Sequence, residues 1–162
     1  MKNQIIHILA LIVVFFSCEK QAIDIDDPDT QSTITALRDD VAYEAARVSL
    51  SEGENSDLFT INSVNIDDEK LIMLIDVTYS GGCEKHDFEM LWPEVITMVY
   101  PPNFSVILNH NSNGDMCEAN LTEVLEINFK ESPLGFDEQS IRDMIVTVIN
   151  GSNPDEKVAN DI

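Results

Sequence analysis

The sequence predicts an all-β protein, specifically an antiparallel β-sandwich of about eight strands, immunoglobulin-like or similar, behind a disordered N-terminal tether. Short apolar stretches of strand length recur along the chain, and glycine, proline and asparagine separate them. The helical pattern is weak and confined to residues 137–142. Because 162 residues with 44% apolar content can bury one core, we expect a single domain at residues 34–162.

The N-terminus has the pattern of an export signal. Lys2 provides a positive charge, and residues 5–16 form an apolar stretch that is too short to span a bilayer permanently. Cys18 follows, and the segment resembles a bacterial lipoprotein signal, whose cysteine is acylated and becomes the new N-terminus. A plain secretory signal would instead leave Cys18 as an unpaired thiol. We therefore predict a signal peptide at residues 1–17, lipidation of Cys18 and an acidic tether at residues 18–33.

Glu19 bears on the destination of the anchored protein. An aspartate at this position resembles an inner-membrane retention signal, so Glu19 favours the outer membrane. Glu19 and the acidic residues 24–29 also resemble a stretch that sends some lipoproteins to the cell surface, although a flexible acidic linker has the same composition. The predicted location is the outer membrane, facing the periplasm or the cell surface.

The net charge limits the classes of partner. Nine basic against 30 acidic residues give a formal charge of −21. Such a field repels phosphates, so DNA and RNA are excluded as partners. A solvated exterior explains the charge most simply, and recruitment of cations or of a basic partner is the alternative.

The strands are predicted from alternation and from turn residues. The first is placed at residues 42–50, a segment in which neither the helical nor the strand period is clean. Residues 58–66 and 71–79 flank an acidic four-residue loop and predict a hairpin. The remaining strands are predicted at residues 86–92, 95–100, 104–110, 121–129 and 144–150.

Two cysteines remain once Cys18 carries lipid. In an exported protein, Cys83 and Cys117 are most simply a disulfide that closes a loop of about 35 residues. The alternative is a metal site in which the two thiolates join His86 and His110, a ligand set that suits tetrahedral zinc or soft copper.

A third interpretation combines an oxidised cysteine pair with a histidine-based metal site. His86 and His110, with Asp115 or Asp87, would then be the ligands. Strand alternation places both histidines on apolar faces, so each is also explained as a buried histidine whose nitrogens are satisfied by nearby backbone groups.

The sequence offers little support for catalysis. A cysteine in a disulfide cannot act as a nucleophile, and the chain has neither a G-x-S-x-G motif nor a phosphate-binding glycine loop. We therefore predict a protein that is not an enzyme.

Two motifs carry a resemblance to a known group. Residues 79–88 contain G-G-C-x-x-H-x-F, and residues 110–119 contain H-x4-D-x-C-x-A. The chain resembles small uncharacterised bacterial lipoproteins with these elements, and the resemblance implies an architecture without a mechanism. The expected function is a lipid-anchored exported module that binds a protein or a small ligand. The alternative is a zinc- or copper-binding lipoprotein that uses His86 and His110.

Overall fold

The computed structural model describes residues 31–50, 56–94 and 100–160. Within these residues, eight strands form a five-stranded sheet, sheet A, with the order β1-β4-β5-β7-β8, and a three-stranded sheet, sheet B, with the order β2-β3-β6. The elements are β1 (Thr33–Arg38), α1 (Asp40–Leu50), β2 (Phe59–Asp67), β3 (Ile72–Gly81), β4 (Asp87–Trp92), β5 (Asn103–Asn111), β6 (Ala119–Asn128), α2 (Glu138–Asp143), β7 (Ile145–Asn150) and β8 (Asn153–Ala159). The predicted all-β, sandwich-like fold is confirmed.

The N-terminal features predicted from the sequence lie outside the described residues. These are the signal peptide at residues 1–17, the lipidation site Cys18 and the tether up to residue 30. β1 begins at Thr33, which is the last residue of the predicted tether. In the described part of the chain, no helix is long and apolar enough to cross a membrane.

The predicted first strand, at residues 42–50, is wrong because this segment belongs to the helix α1. One carboxylate oxygen of Asp39 accepts hydrogen bonds from the backbone N–H groups of Val41 (2.8 Å) and Ala42 (2.9 Å), which caps the helix N-terminus. Three alanines in the segment further favour a helix. The Tyr43 hydroxyl donates to the carbonyl oxygen of Ser105 (2.9 Å), so α1 lies against the outer face of sheet A.

The predicted hairpin is confirmed as β2 and β3, which pair antiparallel with Phe59 opposite Tyr79. β6 pairs antiparallel with the other side of β3 along its whole length. The predicted strands at 86–92, 104–110, 121–129 and 144–150 correspond to β4, β5, β6 and β7.

Two strand pairs of sheet A are parallel, which differs from the predicted antiparallel arrangement. β1 runs parallel to β4, and β5 runs parallel to β7. In both cases the connecting chain passes through sheet B, because β2 and β3 lie between the first pair in sequence and β6 lies between the second pair. A connection of this length can return to its sheet in the original direction, which a hairpin loop cannot do.

β8 is a strand that the sequence analysis missed. Its sequence is polar, and five of its seven residues are exposed, because it pairs only with β7 at the edge of sheet A. Polar edge strands do not show the alternation from which strands are predicted. The strand predicted at residues 95–100 lies almost entirely outside the described residues.

Asn150 ties the two sheets together and is 0% exposed. Its Nδ2 donates to the carbonyl oxygen of Phe59 on β2 (2.8 Å) and to the Glu156 carboxylate (2.9 Å). Its Oδ1 accepts from the backbone N–H and the hydroxyl of Ser152. Glu156 in turn accepts from the backbone N–H of Ile61 (2.7 Å), so the seam between β2 and β8 is closed by side-chain hydrogen bonds.

An aromatic cluster fills the core at the end of β4 that is remote from His86. The Trp92 ring lies with its centroid 5.5 Å from that of Phe104 and 5.4 Å from that of Phe136. Edge-to-face and tilted contacts of this kind stabilise a core beyond the area that they bury.

Candidate functional site: the disulfide and histidine cluster

The residues singled out by the sequence motifs meet at one end of the sandwich. Cys83, in the connection from β3 to β4, is disulfide-bonded to Cys117, in the connection from β5 to β6, and their α-carbons are 5.8 Å apart. The predicted disulfide is confirmed. It joins the loop after β3, a strand of sheet B, to the loop after β5, a strand of sheet A.

The carboxylate of Asp115 organises the loop that contains Cys83. Its Oδ2 accepts the backbone N–H groups of Gly82 (2.8 Å), Cys83 (2.9 Å) and Glu84 (3.0 Å), and its Oδ1 accepts that of Cys117 (2.8 Å). Three successive N–H groups that converge on one anion form a backbone nest. The hydrogen bond from Cys117, followed by those from Glu84 and Cys83, holds the pKa of Asp115 well below its ordinary value, so the group is a carboxylate.

The Gly-Gly pair of the motif has two separate structural roles. Gly82 has φ 117°, a backbone conformation that favours glycine. A Cβ on Gly81 would lie 2.5 Å from Nε2 of His86, so a side chain at this position would displace the histidine ring. The two glycines therefore permit the nest and the close approach of His86.

His86 and His110 are 1% and 3% exposed and contact each other directly. Nδ1 of His86 lies 2.8 Å from Nε2 of His110, and Nε2 of His86 lies 3.2 Å from Oδ2 of Asp115. A carboxylate only accepts hydrogen bonds, so Nε2 of His86 donates to Asp115, and Nδ1 of His110 lies 3.4 Å from the carbonyl oxygen of Asp57, to which it can only donate. His110, His86 and Asp115 therefore form one continuous hydrogen-bonded chain, in which His86 donates to Asp115.

Aromatic rings pack against the two histidines of this hydrogen-bonded cluster. The His110 ring stacks on that of Phe88 with centroids 4.5 Å apart, and the His86 ring lies 4.6 Å from that of Tyr79. Burial raises the pKa of Tyr79 to about 12, and its hydroxyl bonds to that of Ser32 (2.8 Å). The same apolar surroundings, followed by the adjacent His86, lower the pKa of His110.

Residues that the sequence analysis missed hold His110 from the other side. The Ser56 hydroxyl accepts the backbone N–H of His110 (2.9 Å), and the backbone N–H of Asp57 donates to the His110 carbonyl (2.9 Å). The Asp57 carboxylate accepts the backbone N–H of Ser112 (2.7 Å), and hydrogen bonding to Ser112 lowers the pKa of Asp57. In the sequence, the indication was the pair Ser56-Asp57 just before β2, because serine and aspartate side chains commonly hydrogen-bond to backbone groups in turns.

Asp87, a candidate metal ligand, lies on the outer face of sheet A. It accepts a hydrogen bond from Nδ2 of Asn113 (2.8 Å) and another from the hydroxyl of Thr33, and these bonds lower its pKa. Period-two alternation along β4 separates it from the inward-facing Phe88 and from the histidine chain. Asp87 therefore fixes the loop around Asn113 and does not join the cluster.

The predicted Cys2His2 metal set is corrected by the disulfide, because oxidised sulfurs are not thiolate ligands. Cys83, Cys117 and Asp115 do lie close enough to share an ion, but the Asp115 oxygens already accept four backbone N–H groups. Two nitrogens that ligate one tetrahedral zinc ion are about 3.3 Å apart, given bonds of about 2.0 Å. The nitrogens of His86 and His110 are 2.8 Å apart, which is the distance of a hydrogen bond.

The histidine-only metal site remains a prediction that can be tested directly. Because both nitrogens of His86 are engaged, we expect the oxidised protein to retain less than about 0.1 equivalent of zinc or copper after dialysis. Elemental analysis, with a chelator-treated sample as the blank, measures this. Stoichiometric metal that disappears in both His86→Ala and His110→Ala would reverse the expectation.

The lowered pKa of His110 predicts the direction of a pH effect. The unfolded chain takes up a proton near pH 6.5, and the folded chain takes it up only at lower pH. The unfolded state therefore binds more protons between these two values, and stability falls as the pH drops below about 6.5. We expect the free energy of unfolding to decrease from about pH 7.5 to 5, and we expect His110→Phe to reduce this slope. Denaturant titrations at each pH measure it.

Tyr79→Phe is the matched control for the pH effect. It alters a neighbour of the same cluster, but the Tyr79 hydroxyl does not titrate in this range, so the slope should be retained. A His110→Phe protein with an unchanged slope would show that another group is responsible.

Comparisons with known proteins supply structural likenesses that are distant in sequence. No protein-family model and no curated protein sequence matches the chain. A protein of unknown function, DUF1344, from Bacteroides vulgatus is 12% identical with a TM-score of 0.45, over 80% of this chain and 55% of that one. A NigD-like immunity protein from Bacteroides caccae is 16% identical with a TM-score of 0.39, over 75% and 52%. The chain thus spans about half the length of each, and likenesses this weak assign no activity.

Proposed function

We propose that this chain is an exported lipoprotein, anchored through Cys18, whose folded body is a binding module stabilised by the Cys83–Cys117 bridge. The observation that carries the proposal is the bridge itself, because disulfides form and persist in oxidising compartments outside the cytoplasm. The bridge also leaves Cys18 as the one remaining cysteine, directly behind an apolar N-terminal segment. That position is where a lipoprotein carries its acyl chains.

Binding is favoured over catalysis by the state of the reactive side chains. Asp115 accepts its hydrogen bonds from the protein, and both nitrogens of His86 are engaged by protein groups. A general base must reach a substrate proton, and these buried groups face each other instead. The cluster then serves to hold two loops and two sheets in a fixed arrangement, on which other surfaces of the sandwich can bind.

The anchor defines the membrane as the first partner. Acyl chains contribute about 0.8 kcal/mol for each buried methylene, so two or three chains hold a protein stably at a bilayer. Glu19 directly after the lipidated cysteine favours the outer membrane, with the body facing the periplasm or the cell surface.

Metabolic labelling tests the anchor. The full chain, expressed in a bacterium with two membranes and grown with an alkyne-tagged fatty acid, should carry the tag and fractionate with the outer membrane. Cys18→Ala should lose the tag, whereas Ser17→Ala should keep it, because alanine is common before a lipidated cysteine. Mass spectrometry of the N-terminal peptide should find Cys18 acylated. An untagged protein with a free Cys18 thiol would refute lipidation.

A further inference from the structure

A cleft of about 450 Å³ opens where an edge strand of each sheet meets the other. β1 has a single hydrogen-bonded neighbour in sheet A, and β6 has a single one in sheet B. The opposite seam is closed by the Asn150 and Glu156 side chains, but this one is open. The residues that line it on the two strands are Ile34, Thr35, Ala36, Glu126, Ile127 and Asn128.

The backbone of β1 presents hydrogen-bonding groups to this cleft. The N–H of Thr33 donates to the carbonyl of His86 (3.0 Å), and the N–H of Asp39 donates to the carbonyl of Trp92 (3.2 Å). The odd-numbered residues therefore direct their peptide groups toward β4. Those of Ile34 and Ala36 point the other way, into the cleft. Such an edge is a template on which another strand can pair.

The side chains of the cleft define what would fit. Ile34 and Ala36 pack partly buried against the core, and Ile127 is buried, so the floor is apolar. Glu126 and Glu131 are exposed carboxylates, and the described lining includes no basic side chain. Strand alternation lets one segment place apolar residues on this floor and basic residues beside the carboxylates.

Glu123 is a further carboxylate on the edge strand β6. It lies opposite the buried Val77 in the β3–β6 register, so it faces inward on an edge strand three residues before Glu126. Its Oε1 is buried without a hydrogen-bond partner among the described residues, while the Tyr79 hydroxyl forms a side-chain hydrogen bond with the Glu123 carboxylate. This carboxylate adds negative charge to β6, the edge strand that carries Glu126.

Charge disfavours the two occupants that the chain itself could provide. Residues 19–30 contain five acidic residues and one lysine, a net charge of −4, and they would be repelled by Glu126 and Glu131. A second copy carries the same formal charge of −21. The charges therefore favour a positively charged partner as the occupant of the cleft.

We propose that an extended, basic segment of a partner protein pairs with β1 as a sixth strand of sheet A, with its basic side chains against Glu126 and Glu131. This names the class of partner for the binding module proposed above. It does not depend on the lipid anchor.

The test uses the full chain in non-ionic detergent and a labelled twelve-residue peptide of alternating lysine and valine. The peptide should bind at low salt, and exchange of the Ile34 and Ala36 amides should slow by at least tenfold. Glu126→Gln with Glu131→Gln should weaken binding about tenfold. The control pair Glu84→Gln with Glu118→Gln makes the same change in charge at the disulfide end and should weaken it less than twofold.

Two altered peptides keep the test independent of protein folding. A version that is N-methylated at every second residue retains the charge but cannot pair along one edge, and it should not bind detectably. A glutamate–valine version should also fail to bind.

Several results would overturn the inference. Equal binding of the N-methylated peptide would exclude strand pairing, and equal losses of affinity in the two glutamine pairs would exclude the carboxylates of the cleft. A dimer in sedimentation that the peptide does not disperse would mean that a second copy occupies the cleft. Amides of Ile34 and Ala36 that are protected until residues 19–30 are deleted would mean that those residues occupy it. Peptide binding by an unlipidated chain would leave this inference standing without the anchor. Lipidation without peptide binding would support the anchor and overturn this inference.

Discussion

Replacing both bridged cysteines, by Cys83→Ser with Cys117→Ser, should lower the free energy of unfolding by about 4 kcal/mol. The bridge joins residues 34 positions apart, and it restricts the unfolded chain by closing that loop. Denaturant titration should show a lower midpoint, and reduced wild type should match the double variant. We expect the fold to survive, because the Asp115 nest ties the same two loops through backbone hydrogen bonds.

Cys18→Ser is the matched control for the bridge. It removes the third cysteine and leaves Cys83 and Cys117 paired, so the free energy of unfolding should stay within about 0.5 kcal/mol of wild type. A loss below about 1 kcal/mol in the double variant would show that the nest alone fixes the two loops.

Asn150→Leu should destabilise the protein by about 2–4 kcal/mol, although leucine has a similar size. The change leaves the Phe59 carbonyl, the Glu156 carboxylate and the Ser152 N–H without the partners that Asn150 provides. These groups lie at the seam between the sheets, and the hydrogen bond to the Phe59 carbonyl is buried, so its loss costs most. Asn65→Leu, at an exposed position of β2, is the control and should change stability by less than about 0.5 kcal/mol.

Asn150→Asp separates the charge effect from the loss of shape. The new carboxylate would lie at the position of the present Nδ2, which is 2.9 Å from the Glu156 carboxylate. Two like charges at this distance repel each other, so this variant should be least stable near neutral pH and should recover part of the loss on acidification. A variant as stable as wild type at pH 7 would mean that Asn150 does not tie the sheets.

The strands that could be predicted are those in which one face is buried. Met73, Ile75 and Val77 on β3 alternate with more exposed residues, so that strand and its hairpin partner follow from the sequence. α1 buries no residue completely and β8 is polar, so neither element has the run of buried apolar residues from which the other strands follow. The parallel pairs were beyond prediction, because alternation reports which face is buried and says nothing about strand direction.

The disulfide was predictable because two cysteines remained after Cys18 was assigned. The contact between His86 and His110 was not, because it depends on the register that places Phe88 opposite His110. The role of Asp115 was hidden for a related reason: its four N–H partners are backbone groups, which have no signature in the sequence. In the sequence, the Gly81-Gly82 pair was the feature that indicated this arrangement.

The parallel pairs also set the order in which the protein can assemble. β2 and β3 are neighbours in sequence and can pair early. In contrast, β5 (Asn103–Asn111) can pair on its second side only after β7 (Ile145–Asn150) has been synthesised. Contacts between residues so distant in sequence form slowly. A chain that crosses a membrane from its N-terminus would leave one side of β5 unpaired until about its last eighth arrives, and a product truncated before residue 145 would keep that unpaired edge permanently.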